Sequence, residues 1–576
     1  MTRPLVVAHF CGIGGVGVNI AGMGRFLAVL IVVSVPQAAA AQVIPPSAEP
    51  GRERQRFNEP PPPRAQPGGP PIILPSTVAP AGAARIRFVL RDLRVSGSTI
   101  YSDDELRPLY ASLIGHEVSL QDIYDVARLI TAKYGNDGYV LSRAIVPPQN
   151  LNRTGAVARV QIIEGYIDRV EWPPSLERYR DFFSSYAAKI TAERPVNVRT
   201  IERYLLLASD LPGLKFASSL RPSRTNVAAA TLLVEVVEKP IELLARVDNR
   251  GTQSRGPDEF LGSATFNNLF GWHEALTLSY AGAFQLRELQ YVAANYRQVL
   301  TSEGLTGFAN ASYSWGKPGT SALQTIDYHN LGLVVETGLS APIIRTREAN
   351  LTTTGLFFLS DSNSDILNTP FNNDRLRGIR LKADADNADR FNGINQFNVT
   401  FSQGFEGLGS TQNGNPLASR AAGRVDFNKI EATASRIQPL IGPFSLWLSA
   451  YGQYAFTPLL APEECSYGGR TYGRAFDPSQ LTGDRCWMAT AELRYDLPIR
   501  GPWLSLVQFY GFIDRGAVSH IQPAPGTPKS MDGASVGPGL RLDWQHRVNL
   551  DLTVAKAIDA QHEHDWRFFF MLTVRN

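Results

Sequence analysis

The sequence predicts a mainly β chain, in which a 16-stranded transmembrane β-barrel follows two small α+β units of β-α-α-β-β order. Three observations predict it. Residues 241–576 carry recurrent alternating runs of about ten residues, many ending in aromatics, and helix periodicity disappears there. Residues 86–240 carry one strand–helix–helix–strand–strand pattern twice. After residue 36 no apolar run is long enough to cross a bilayer as a helix. That excludes a polytopic helical membrane protein and leaves a barrel open, because alternating strands keep the mean hydropathy, −0.13, near neutral.

The first 41 residues read as a signal peptide. They hold no Asp or Glu, two arginines (Arg3 and Arg25), an apolar run from Phe26 to Val35 broken by Ser34, and small residues from Ala38 to Ala41. Cleavage near Ala41 removes Cys11 and lowers the formal net charge from +3 to +1. Cys465 and Cys486 remain, and two cysteines in an exported chain predict one disulfide. Residues 42–85 are Pro-rich, with Pro60 to Pro63, Pro67, Pro70 and Pro71. Such a segment cannot bury enough apolar surface to fold, so an extended linker is expected. A recognition arm for a partner is the alternative.

The first α+β unit, residues 86–165, opens with an alternating strand from Phe88 to Val95. Ser102 to Glu105 forms a capping box for a short helix. Ser119 to Asp122 opens a second helix with Leu120, Ile123, Tyr124, Ala127 and Ile130 on one face, and Gly135 is placed to end it. Strands follow at Val140 to Val146 and Ala158 to Glu164. The second unit, residues 166–240, repeats the order. Its strand is Tyr166 to Trp172, its helices are Leu176 to Ile190 and the one capped by Asn197, and its closing strands are Leu214 to Ser219 and Thr231 to Val237.

Beyond Ile241, 336 residues leave 21 for each of sixteen strands and its connection. Long polar gaps are expected after odd-numbered strands, at Asp361 to Asp374, Leu408 to Gly423 and Phe456 to Arg485. Gaps after even-numbered strands are short, as at Asn268 to His273. Short periplasmic turns and longer extracellular loops show this asymmetry, which puts the tandem units on the periplasmic side. A net charge of +3 without a concentrated basic stretch gives no nucleic-acid footprint. No nucleophile elbow, phosphate loop or paired-carboxylate signature is present, so neither an enzyme nor a cofactor is expected. His562 to Asp565 reads as a solvated loop and not as a metal site.

Several motifs resemble a known family. Tyr134 to Tyr139, Pro147 to Gln149 and Glu164 to Ile167 look like the polypeptide-transport-associated (POTRA) domain of haemolysin secretion/activation proteins. Glu202 to Leu206 with Leu211 to Gly213 looks like the second such domain. Gly473-Arg474-Ala475-Phe476, Gly483-Asp484, Glu492 to Tyr495 and Phe512 to Gly516 are similar to the loop-six and strand-thirteen signatures of two-partner secretion transporters, relatives of BamA-type assembly proteins. The resemblance covers residues 86–576. It departs from the family at Ala475, where Gly is usual, and at Thr573 to Asn576, where a terminal aromatic is usual. Gly51 to Phe57 is too short to be read as the family's plug helix.

The resemblance implies a pore in the outer membrane that exports an unfolded partner exoprotein, haemolysin- or adhesin-like, without ATP. Its partners are that cargo and outer-membrane lipid, and it acts as a monomer. Assembly of other barrels, the BamA-type role, is the alternative. Alternation puts Phe512, Asp514 and Gly516 on the luminal face of strand thirteen. Read alone, Arg474 is a solvated loop residue and Asp514 an unrelated luminal one. The resemblance implies instead that loop six folds into the barrel and that Arg474 pairs with Asp514, a guanidinium being able to form two parallel bonds to a carboxylate. Gly473, Phe476, Glu492, Arg494, Phe512 and Gly516 belong to the same motifs, although Glu492 and Arg494 also suit a plain water-filled lumen.

Overall fold

The computed structural model describes residues 44–49, 56–57, 62–67 and 78–576 apart from 225, 500 and 559–564. The expected signal peptide, Cys11, and His562 to His564 lie outside the described residues. Among the described residues, no helix is long and apolar enough to cross a membrane.

The first α+β unit runs β1 (Arg87–Ser96), α1 (Asp103–Leu106), β2 (Glu117–Ser119), α2 (Leu120–Asn136), β3 (Arg143–Ile145) and β4 (Ala156–Ile163). Its sheet has the order β2-β1-β4-β3, four strands where three are expected. The extra strand β2 pairs with only three residues of β1, too few for alternation to mark in the sequence. A capping box starts α2: Ser119 N–H donates to Asp122 Oδ2 (2.7 Å) and Asp122 N–H to Ser119 Oγ (3.3 Å). Ile123, Ala127, Ile130 and Tyr134 bury its inner face. The helix passes Gly135, and Gly138, at φ 95°, turns the chain instead.

The second unit runs β5 (Tyr166–Glu171), α3 (Arg180–Ala192), α4 (Val198–Ser209), β6 (Leu214–Pro222) and β7 (Ala229–Glu238), with sheet order β5-β7-β6. The expected helix from Leu176 begins as a 3-10 turn, Pro174–Tyr179. Asn197 caps α4, its side chain accepting from Arg199 N–H (3.0 Å). The two units are tied through Val198 N–H to the Gly138 carbonyl (2.9 Å) and Val196 N–H to the Gly165 carbonyl (3.0 Å).

Sixteen antiparallel strands then close into a barrel. They are β8 (Ile241–Asp248), β9 (Glu259–Asn267), β10 (Glu274–Ala283), β11 (Gln290–Val299), β12 (Thr306–Gly316), β13 (His329–Arg345), β14 (Ala349–Ile366), β15 (Thr369–Ala388), β16 (Ile394–Gly404), β17 (Asn428–Pro439) and β18 (Phe444–Ala455). A small hairpin, β19 (Cys465–Tyr467) and β20 (Leu481–Gly483), lies inside the next loop. The barrel finishes with β21 (Arg485–Asp496), β22 (Leu506–Ser519), β23 (Ser530–Trp544), β24 (Val548–Ala557) and β25 (Trp566–Arg575). Closure comes from Leu244–Asp248 pairing with Met571–Arg575. Asn576 extends that seam, its Oδ1 accepting from Leu243 N–H (2.9 Å).

One expected loop is not a loop. Asp361 to Asp374 is the tip of a hairpin in which β14 and β15 turn at Leu367 and Asn368, with φ 51° and 60°. Here both faces of the sheet carry polar residues, with Ser360, Ser362 and Ser364 on the buried one, so the apolar alternation is lost while the ladder continues.

Part of the expected linker is docked. Its residues 48 and 56–57 stand against the inside of the barrel, and Ala83–Arg85 lies against the first unit. Ala48 is buried with Leu323 and Tyr328. Phe57 is buried against Leu261, Ala281 and Tyr291, on the wall face opposite the exposed Phe284 and Val292. Arg56 pairs with Glu259 (2.5 Å). At the periplasmic end Ala65 N–H donates to Asp386 Oδ2 (2.5 Å) and Gln66 N–H to the Arg347 carbonyl (2.9 Å). A Pro-rich segment cannot build its own core, but it can borrow one.

The second unit docks on the periplasmic turns. Tyr204 Oη donates to Glu303 (2.9 Å), and Arg203 and Lys189 flank the same carboxylate. Arg345 reaches both oxygens of Asp210 (2.7 and 2.9 Å).

Candidate functional site

The sixth extracellular loop, residues 456–484, joins β18 to β21 and folds into the lumen. Its shape starts from a covalent tie, the Cys465–Cys486 disulfide at its base. The β19–β20 hairpin narrows it, with Cys465 opposite Gly483. At the tip the chain reverses at Gly473, φ 72°, where a Cβ would stand 2.6 Å from the Tyr467 ring. Tyr467 packs edge-to-face on Phe476 (5.2 Å between centroids). This aromatic pair sits where the wall has no side chains: a Cβ on Gly516 would come within 2.6 Å of Tyr467, and one on Gly533 within 2.8 Å of Phe476.

That seat delivers Arg474, 3 % exposed, to the inward faces of β21, β22 and β23. Its Nη1 lies 2.6 Å from Glu492 Oε2, and its Nη2 donates to Thr490 Oγ1 (2.8 Å) and Asp514 Oδ1 (3.2 Å). The Arg474 backbone N–H donates to Asp514 Oδ2 (3.0 Å), which also accepts from Ser535 Oγ (2.9 Å). The guanidinium carbon stands 3.8 Å from the centre of the Phe512 ring. Two parallel bonds to Asp514 are therefore not the geometry. One guanidinium is shared by two carboxylates and a hydroxyl, and its shortest contact is to Glu492. Arg494 Nε donates to Glu492 Oε1 (2.8 Å), so that residue is part of the network.

The network is wider than the motifs. Arg541 contacts Glu492 (2.7 Å) and Asp551 (2.9 Å), and Tyr510 Oη donates to Asp551 (2.8 Å). Arg541 and Asp551 alternate with Leu540, Leu542, Leu550 and Leu552, so their inward placement is legible as period two. Thr490, Ser535, Tyr467 and Gly533 carry no such signal. Ala475 needs no glycine, because its φ is not positive; its carbonyl accepts from Arg567 Nη1 (2.8 Å). Arg474, Glu492 and Asp514 are buried and paired, the condition under which ionised groups survive away from water, while Arg494 and Arg541 are partly exposed to the lumen. Beside them a cavity of about 540 Å³ remains, bounded by loop six, Glu49 and Arg56 of the N-terminal segment, and the wall.

Among the described residues, Glu464, Asp484 and His520 come nearest to a metal centre, with ligand atoms within 4.8 Å of one another. Arg420 Nη1 lies 2.8 Å from Glu464 and 2.6 Å from Asp484, so a guanidinium already fills the space between the carboxylates.

The arrangement holds loop six across the lumen of the barrel. The family model described as "Haemolysin secretion/activation protein ShlB/FhaC/HecB" matches residues 231–541, and that of the "POTRA domain, ShlB-type" matches residues 88–165. The outer membrane transporter CdiB of Dickeya dadantii (strain 3937) is 24% identical over 468 residues, 79% of this chain and 81% of that protein. The heme/hemopexin transporter protein HuxB of Haemophilus influenzae (strain 86-028NP) is 22% identical over 487 residues, 82% of this chain and 83% of that protein. Among solved structures, CdiB from Escherichia coli superposes with a TM-score of 0.70 at 18% identity, over 88% of this chain and 94% of that one.

Proposed function

The chain belongs to the haemolysin secretion/activation family ShlB/FhaC/HecB, and on that premise we propose that it is an outer-membrane pore exporting an unfolded partner exoprotein. The POTRA units at residues 86–165 and 166–240 meet the partner in the periplasm, and the barrel at residues 241–576 conducts it outward. One observation carries the reading: tandem units docked on the periplasmic turns lead into a closed barrel whose lumen, among the described residues, holds loop six and the N-terminal segment. Transport, not catalysis, is the activity. No nucleotide motif supplies energy, so direction comes from folding of the partner outside.

Arg474 is the residue that seats loop six on the wall, and export requires the loop both to leave that seat and to return to it. One chain supplies all sixteen strands, which supports a monomer in outer-membrane lipid. Recognition uses a sheet edge, where main-chain bonds accept any extended peptide, and side-chain pockets beside that edge confer selectivity. The lumen must pass every segment of the cargo, so strong binding there would stall transport. The test exchanges residues 86–240 with those of a related transporter and measures export of each cognate partner. Cargo choice should move with the exchanged units; choice that stays with the barrel overturns the assignment of specificity.

A further inference from the structure

Loop six is fastened in the lumen at a second place that no motif marks. Glu463, Glu464 and Cys465 follow one another on the limb entering the barrel. Glu463 is buried, with one carboxylate oxygen 2.6 Å from Arg380 Nη2 and the other 2.9 Å from Lys429 Nζ. Its carbonyl oxygen accepts from Lys429 Nζ (2.9 Å) and Gln453 Nε2 (3.2 Å). Arg380 is held in turn by Glu336 (2.9 Å).

These partners stand on β13, β15, β17 and β18, whereas Arg474 meets β21 and β22. Because β18 pairs with β21, the two contact sets occupy adjoining arcs of the wall, one on each side of the junction from which loop six springs. The disulfide does not duplicate either set, since it ties the loop only to its own flanking strand. Lys429 is itself buried, and although it also reaches Glu431 (3.5 Å) and Gln453 (3.1 Å), Glu463 is its nearer carboxylate, so departure of Glu463 weakens the pairing of a buried charge. The contact is a specific one and not incidental packing.

We infer that Glu463 is a second latch on loop six, a positioning residue independent of Arg474, and that both must release before the loop can leave the lumen. The inference rests on the reading that loop six moves during export. The test uses the full chain in lipid vesicles with its disulfide intact, carrying nitroxides at Thr471→Cys on the loop and Asn392→Cys on a periplasmic turn. The distance between the nitroxides is measured in the parent, in Glu463→Gln, in Arg474→Ala and in the double variant, each first checked for the heat-modifiable gel mobility of a folded barrel.

Each single variant should broaden the distribution and keep its main peak. The double variant should move the main peak to a longer distance. Lys429→Met should act as Glu463→Gln does, and it serves if that variant fails to fold. A double variant indistinguishable from Arg474→Ala overturns the latch, as does Glu463→Gln moving the peak alone as far as the double. If the loop moves as expected while export of the partner is unchanged in every variant, the latch stands and the export reading falls.

Discussion

The first α+β unit and the barrel bury opposite things. The unit hides Leu90, Ile123, Ile130, Ala158 and Val160 between a sheet and a helix, and its charges stand in water. The barrel turns Trp487, Leu493, Phe509 and Ile513 outward and keeps Arg474, Glu492, Asp514 and Arg541 within or against its lumen. In the unit, order comes from apolar area removed from water, which is non-directional. In the lumen, order comes from paired charges, which hold only at short range and in one geometry. A fold held by area loses stability in proportion to the atoms removed; a loop held by pairs loses it contact by contact.

That contrast can be broken in stages. The largest effect should come from the lumen. Arg474→Ala takes the guanidinium from the buried Asp514 and one of three arginines from Glu492, and breaking a buried pair costs about 3–5 kcal/mol locally. Secretion should fall strongly while the barrel, with its other ladders intact, keeps its folded gel mobility; Asp514→Ala should do the same. Normal export by both variants would end the assignment. In the unit, Ile130→Ala removes side-chain atoms from a fully buried site and should cost about 2–5 kcal/mol. Hydrogen exchange on the full chain should then rise in α2 and β4 and stay unchanged in β21 to β23. A rise spreading into the barrel would show that the two regions are not separate in stability.

Replacing Cys465 and Cys486 by Ser should cost roughly 3 kcal/mol of loop order. The readout is protease cutting within residues 456–484, with mass spectrometry of the parent showing no alkylatable thiol. The smallest effect belongs to the docking contacts. Burial alone would raise the Glu303 carboxyl, but hydrogen bonds from Tyr204, Arg203 and Lys189 outweigh it and hold that group below its usual range. A depressed carboxyl contributes above its unfolded value and is lost as pH falls through the folded one. Exchange in α4 should therefore quicken on acidification, by an amount under about 1 kcal/mol for so exposed a group. Glu303→Gln should flatten that dependence, and an unchanged slope would remove Glu303 from the docking.

Much of this was legible because the membrane imposes a period. Lipid on one side and water on the other force alternation, and alternation is what makes the strands of the barrel readable. β15 escapes where the sheet leaves the bilayer and the constraint ends. Arg474 and Asp514 could be singled out from short motifs and the inward phase of β22. Glu463 could not be. Its partners lie 83 residues upstream at Arg380 and 34 upstream at Lys429, and nothing local in Glu463-Glu464 separates a buried anchor from two solvated acids. The N-terminal segment was illegible for a related reason: Phe57 is a lone aromatic until Leu261 and Tyr291 surround it.

The seam between β8 and β25 has one more consequence, in time and not in space. The residues that close the barrel, Met571–Arg575, must find Leu244–Asp248 from the far end of the barrel sequence. Until the two strands meet there is no inside. The segment from residue 44, the charged network and loop six have no compartment before that seam forms, and until then their arginines and carboxylates have only water for company. Pairing of the first strand with the last and creation of the lumen are the same event.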